Sequence, residues 1–212
     1  MKSSVIKYLS GLFLLLGLAL SAQAKSYEEG KDYDRLSAAQ PTQTGDKIEV
    51  LEFFWYGCPH CFHFEPALQK WLKNKPDNVH FIRVPAPLNP SWMVHTKTYY
   101  ALELMGAGEK YHHDLFSAIH TQRKRIFDQD AISAFLKDLG VDMDAFNNAY
   151  KSFAVEMRTR KAMQLGQNYR LNGVPMLTIN GKYIVSAEKA GDYDGMIKIA
   201  NYLIEKESKA AK

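Results

Sequence analysis

Cysteine is almost absent from this chain. Among 212 residues only Cys58 and Cys61 carry a thiol, so no disulfide framework can supply its stability. A bridge between these two would close a very short loop and restrict the unfolded chain little, which leaves the pair better placed to react than to staple. A second Cys/His pair at a recognisable distance is also missing, whereas a structural zinc site normally takes four ligands, often as two separated pairs. Metal binding by Cys58-Pro59-His60-Cys61-Phe62-His63 is therefore only a competing reading, and neither a metal nor an organic cofactor is expected. Excess charge of one sign is lacking too. A formal charge of +4 and the absence of a basic run interleaved with aromatics argue against a nucleic-acid partner. There is no internal repeat and no long low-complexity tract. With 46% hydrophobic residues the chain can bury one or two cores, but not three.

Lys2 and Lys7, the apolar stretch Leu9 to Leu20 and the small residues Ala22-Gln23-Ala24 have the order of a secretory signal peptide over residues 1–24. The apolar stretch, about 12 residues, falls short of the ~20 needed to span a bilayer, which counts against an uncleaved anchor. Cleavage would remove two lysines and lower the formal charge from +4 to +2. The mature protein is expected in an oxidising compartment, where a solitary cysteine pair is informative.

The cysteines lie where a strand hands over to a helix. Ile48 to Phe54 is an apolar, β-branched and aromatic run of the kind that forms a buried strand. From Cys61 to Leu72 apolar residues recur at 61, 64, 68, 71 and 72, and Pro59 suits a first helical turn, where no backbone N–H is needed. The free N–H groups and the macrodipole of a helix N-terminus favour an anion. Cys58 is thus expected to be the ionised thiol, with His60 adding a donor and, when protonated, a positive charge. Cys61, one turn further in, is expected to be less exposed and to act as the resolving thiol. Glu52 stands on the same side of the strand as Val50 and Phe54, and a carboxylate in a buried strand is costly unless paired or neutral. It is either half of a salt bridge that fixes the sheet or a proton acceptor near Cys61. Arg83, on the next strand, is the expected partner.

Tyr27 to Asp46 is polar and turn-rich, with Lys31 to Leu36 able to pair as a short edge strand. Val79 to Val84 reads as a second buried strand, ended by Pro85 and Pro87. From about Leu88 to Gln164 the period turns helical, with helices at Ser91 to Met105, Glu109 to His120, from near Asp128 to Gly140, from Asp142, and from Val155 to Tyr169. His95, His112, His113 and His120 on these helices read as surface or interhelical residues rather than ligands. Met176 to Ile179, the turn Asn180-Gly181 and Lys182 to Val185 carry a strong hairpin signal. An amphipathic helix from Asp192 to Lys206 follows, and the lysine-rich end from Glu205 is expected to fray.

In this order, Tyr27-Glu28-Glu29-Gly30-Lys31, Leu51-Glu52-Phe53-Phe54, Cys58-Pro59-His60-Cys61, Gly173-Val174-Pro175 and Asn180-Gly181-Lys182-Tyr183 make the chain resemble the DsbA family of bacterial thiol:disulfide oxidoreductases. The resemblance covers nearly the whole chain after residue 24. It implies an α/β fold, a thioredoxin-like domain (residues 25–87 and 165–212) interrupted by an all-helical domain (88–164). It implies that Cys58 is the attacked sulfur, Cys61 the resolving one and His60 a stabiliser of the thiolate. Pro175 would be a cis-proline beside the site, Val174 would pair through its backbone with a bound substrate strand, and Glu52 would be a proton acceptor. The activity implied is donation of the Cys58–Cys61 disulfide to reduced secreted or periplasmic proteins, by a periplasmic monomer recharged by a quinone-linked membrane oxidase. A reductase or isomerase on the same fold is the alternative. An isomerase usually needs a dedicated dimer segment, for which the chain has no spare domain.

Overall fold

The computed structural model describes residues 26–210, so the segment 1–24, expected to be a signal peptide, lies outside the described residues. Five strands, β1 (Asp34–Arg35), β2 (Ile48–Phe54), β3 (Val79–Pro85), β4 (Met176–Ile179) and β5 (Tyr183–Ser186), form one sheet in the order β1-β5-β4-β2-β3. Only β2 and β3 run parallel; the other neighbours are antiparallel. The helices of the described residues are α1 (Pro59–Leu72), α2 (Pro90–Leu104), α3 (Gly108–His120), α4 (Gln129–Asp138), α5 (Met143–Tyr150), α6 (Phe153–Asn168), α7 (Ala187–Ala190) and α8 (Tyr193–Ala210). Helices α2 to α6 all fall between β3 and β4, so the helical stretch interrupts a continuous sheet.

Strand β2 lies inside the sheet, between β4 and β3, and is buried at every position. Because its side chains alternate between faces, it supplies two cores. Ile48 and Val50 join Phe64, Leu68 and Trp71 of α1 and Met196, Ile199, Ala200 and Leu203 of α8. Leu51 and Phe53, with Phe54 at the strand's end, join the core that closes the helical insertion. Each fully buried Leu or Phe contributes about 1.5–3 kcal/mol. The second strand departs from expectation at its middle, where His80 is exposed and Phe81 and Ile82 are half-buried. As β3 is an edge strand of the sheet, it has no neighbour to cover it on one side.

Caps explain where the helices begin. Asp128 and Asp142 accept backbone N–H groups of the first turns of α4 and α5, as their positions before apolar periodic segments predict. Asn89 and Ser152 do the same for α2 and α6, starting both slightly earlier than periodicity alone indicates.

The C-terminal end is a correction: α8 continues to Ala210 instead of fraying after Glu205. Glu207 is buried and accepts from Asn180 Nδ2 at 2.7 Å and Lys182 Nζ at 2.6 Å, so the last turns of α8 are tied to the β4–β5 turn. In that turn Asn180 and Gly181 both have positive φ, 50° and 69°, which Asn-Gly tolerates. Gly181 also receives the N-terminal segment at close range: Gln40 N–H donates to its carbonyl at 2.8 Å, and a Cβ at Gly181 would lie 2.1 Å from the Gln40 oxygen. Gly181→Ala is expected to lower folding stability by about 1–3 kcal/mol through combined φ strain and backbone collision. An unchanged urea midpoint would contradict this.

Candidate active site

Cys58 is the N-cap of α1, with φ −87° and ψ 116°, and Pro59 follows at the first helical position. The turn leading in from β2 is short, and Cys58 N–H donates to the Trp55 carbonyl at 2.9 Å. This aims the sulfur at the free N–H groups of the helix start, and Cys61 N–H donates to Cys58 Sγ at 3.4 Å. Both cysteines are free thiols; Cys58 is 7% exposed and Cys61 fully buried. The Cys58 pKa is lowered to about 6. The Cys61 thiol hydrogen bond contributes most, burial opposes it, and the backbone N–H groups of Cys61 and His60 and the His60 charge follow. Cys61 is pushed well up instead, chiefly by burial and then by its hydrogen bond to Cys58 and the charge there.

The other expected residues are placed as follows. Val174 accepts the Cys58 thiol on its carbonyl at 3.4 Å, and its bond to Pro175 is cis. A concave surface of about 630 Å³ beside the cysteines includes His60, Val174, Pro175, Met176 and Leu36. The His60 side chain is exposed and its Nδ1 lies 3.2 Å from the Tyr193 hydroxyl. Its ring thus sits between solvent and α8, and its charge helps to lower the Cys58 pKa after the hydrogen bonds there. Glu52 is fully buried and in direct register with Arg83 across the parallel β2–β3 pair. Arg83 Nε lies 3.2 Å from Glu52 Oε2, a close ion pair without the alignment of a directed hydrogen bond. Burial raises the Glu52 pKa more than Arg83 lowers it, and the neighbouring Glu65 and Glu109 raise it further.

A network around that pair was not anticipated from sequence. Arg83 also meets Glu65 at 3.4 Å and Glu109 at 2.5 Å. His112 Nε2 lies 3.2 Å from Glu65 Oε1, and the Tyr56 hydroxyl 3.0 Å from His112 Nδ1. Since a carboxylate can only accept, His112 donates from Nε2, and in the neutral imidazole that burial favours Nδ1 then accepts the Tyr56 O–H. Burial, which lowers its pKa, agrees with that form. Burial alone would raise Glu65, but the hydrogen bond from His112, the Arg83 charge and the Gln69 hydrogen bond together take it below the usual carboxylate range. The signal for Glu65 was present, because position 65 falls on the same helical face as 61, 64 and 68. Glu65, Glu109 and His112 also line a separate groove of about 510 Å³ between α1 and α3.

Aromatic side chains wall the cysteine turn. The Trp55 ring folds over Gly57, where a Cβ would lie 2.3 Å from it, and stacks on Trp92 at 4.3 Å. His95 is buried against Trp55, Phe127 and the Ile126 carbonyl, His112 is buried between α3 and α1, His120 Nε2 donates to the Tyr56 carbonyl at 2.7 Å, and His113 is exposed. Among the described residues, no group of three or more His, Cys, Asp or Glu is arranged to hold a metal ion.

The family model described as DSBA-like thioredoxin domain matches residues 93–197. The thiol:disulfide interchange protein DsbA of Pseudomonas aeruginosa is 40% identical over 212 residues, covering all of both chains. The protein of that name from Azotobacter vinelandii is 39% identical over 95% of this chain and 94% of its own. The crystal structure of Pseudomonas aeruginosa DsbA superposes with a TM-score of 0.84 at 42% identity, covering 87% of this chain and 96% of the other.

The lowered Cys58 pKa makes a direct expectation. Alkylation of the reduced protein by iodoacetamide should rise with pH through a midpoint near 6 and level off above it, all at Cys58, because only the thiolate reacts. The stabilisation that this thiolate gives the folded reduced form is complete above the unfolded thiol pKa and is lost as pH falls through about 6. Mass mapping of the alkylated peptides checks the assignment; a midpoint near 8.5 would refute it.

Proposed function

Because the chain belongs to the DsbA family of thiol:disulfide oxidoreductases, we propose that it donates a Cys58–Cys61 disulfide to reduced proteins in the periplasm, delivered there by the segment 1–24. The observation that carries this reading is the contrast between the two thiols: Cys58 caps α1 with its pKa lowered to about 6, while Cys61 is buried with its pKa raised. In that arrangement a substrate thiolate attacks Cys58 Sγ, the Cys58–Cys61 bond breaks, and its electron pair goes to Cys61. A second substrate thiolate then attacks the substrate sulfur, and the Cys58 thiolate leaves. The substrate is oxidised to a disulfide and the enzyme is left reduced. Stabilising the Cys58 thiolate favours the reduced enzyme, so disulfide donation runs downhill. Recharging by a quinone-linked membrane oxidase fits the same chemistry in reverse.

In this reading the concave surface with Val174 and Pro175 receives the substrate strand, the Val174 backbone pairing with it, and His60 assists the thiolate from the solvent side. The thioredoxin-like part, 25–87 with 165–212, carries the chemistry, and the insertion 88–164 covers one face of the sheet. The molecule acts as a monomer. Cys61 must take up a proton when the disulfide opens and lose it when the enzyme is reoxidised. Glu52 is the carboxyl for that task, supported by its full burial and raised pKa.

Trapping distinguishes the thiols. Cys61→Ala should accumulate mixed disulfides with reduced substrate proteins through Cys58, whereas Cys58→Ala should accumulate few. Equal accumulation on non-reducing gels would overturn the assignment. For the carboxyl, Glu52→Gln should slow turnover by about 10-fold or more, the low end of what a lost general acid or base costs, and flatten its pH dependence. The Cys58 alkylation midpoint should stay in place. If rates match the wild type at every pH and only stability changes, Glu52 serves the sheet alone.

A further inference from the structure

Glu109 opens α3, in the inserted helices, and its side chain is mostly exposed, yet its carboxylate lies 2.5 Å from the buried Arg83 guanidinium. Three carboxylates share that one cation. The contacts from Glu109 and Glu65 have hydrogen-bond geometry, while Glu52 has proximity alone. A guanidinium presents its donors as a fixed fork, so the side chains that hold its two terminal nitrogens decide where the fork points. Here Nη1 goes to Glu109 and Nη2 to Glu65, and Glu52 is left facing Nε.

With all three carboxylates ionised and His112 neutral, the cluster would carry two uncompensated negative charges. A proton placed on Glu52 removes one of them. Glu109 has no need of that proton because water reaches it, and Glu65 has none because His112 and Gln69 donate to it beside Arg83. Glu52, fully buried and facing Arg83 Nε without directed hydrogen-bond geometry, is where the proton belongs. The titratable groups acting on it are Arg83 from β3, Glu65 and Cys61 from α1 and Glu109 from α3, while Tyr99 from α2 and His112 from α3 bear on Arg83 beside it. Its β4 neighbour in register, Leu177, carries no charge.

We propose that Glu109 is a positioning residue for disulfide exchange: by occupying Arg83 from the solvent side it withholds the guanidinium from Glu52 and keeps the Glu52 carboxyl protonated. The inserted helices thereby set the acid–base state of a residue in β2. This rests on reading Glu52 as the proton carrier for Cys61. Removing the Glu109 charge leaves Arg83 more fully to Glu52, so the Glu52 carboxyl must ionise at lower pH.

The test is a pH titration of the Glu52 side-chain carboxyl by carbon-13 NMR in the full-length reduced protein, its signal assigned by its loss in Glu52→Gln. Wild type is compared with Glu109→Gln and with Glu103→Gln, which removes an exposed glutamate paired to Arg158 instead of Arg83. The expected result is a Glu52 midpoint shifted to lower pH in Glu109→Gln and unshifted in Glu103→Gln. A wild-type midpoint in Glu109→Gln, or an equal shift in both variants, overturns the proposal. The pH profile of disulfide exchange is read on the same samples. A profile that shifts with the midpoint supports the whole chain of coupling. A shifted midpoint with an unshifted profile keeps the Glu109–Glu52 link and overturns the proton-carrier role on which its catalytic meaning rests.

Discussion

A sulfur anion held at the start of a helix is the interaction on which this molecule depends. The sulfur must reach the unsatisfied N–H groups of α1, which requires Cys58 to be the N-cap itself and Pro59 to begin the helix without needing a donor. The helix must in turn be fixed against the sheet. Phe64, Leu68 and Trp71 do this from one side of α1 with α8 beside them, and a buried β2 leads straight into the cysteine turn. Both thiols share this geometry, yet one gains from it and the other is isolated by burial. That inequality gives a symmetric pair of side chains two different chemical roles.

Burial explains the second layer of the site. A buried ionisable strand residue such as Glu52 must be paired or neutral, and the parallel register puts Arg83 directly opposite. Arg83 is buried as well and needs more than one carboxylate, which draws Glu65 from α1 and Glu109 from α3 into the same small volume. His112 and Tyr56 complete the hydrogen bonding of Glu65 and tie the network to the aromatic core around Phe54 and Phe116. The ionic cluster consequently joins the sheet, the cysteine helix and the inserted helices.

Much of this was legible in the residues because it is local. Strand β2, the helix after it, the Asn180-Gly181 hairpin and the Asp128 and Asp142 caps each depend on near neighbours in sequence. Glu52 beside Arg83 could be inferred because the two stand on strands expected to be neighbours, and a buried carboxylate needs a partner. The Glu65–His112–Tyr56 chain could not, since it needs the packing of α3 on α1, and nothing in the helical period of α3 says which face meets which partner. The buried Glu207 was hidden for the same reason: a charged residue near the end of the chain reads as solvated until the hairpin turn that binds it is in place.

The order of pairing in the sheet has a consequence for synthesis. The cysteine turn lies in the first third of the chain, but β2 is flanked by β4, which comes from the last quarter, and the turn beyond β4 is bound by Glu207, nearly the last described residue. A chain emerging from its N-terminus therefore exposes both thiols long before the strands and helix that enclose them exist. Such long-range closures are slow, and they come late in folding. Until they form, the thiols belong to an unfolded polypeptide and have its ordinary reactivity, so a nascent molecule stands among the reduced chains that a mature copy can oxidise.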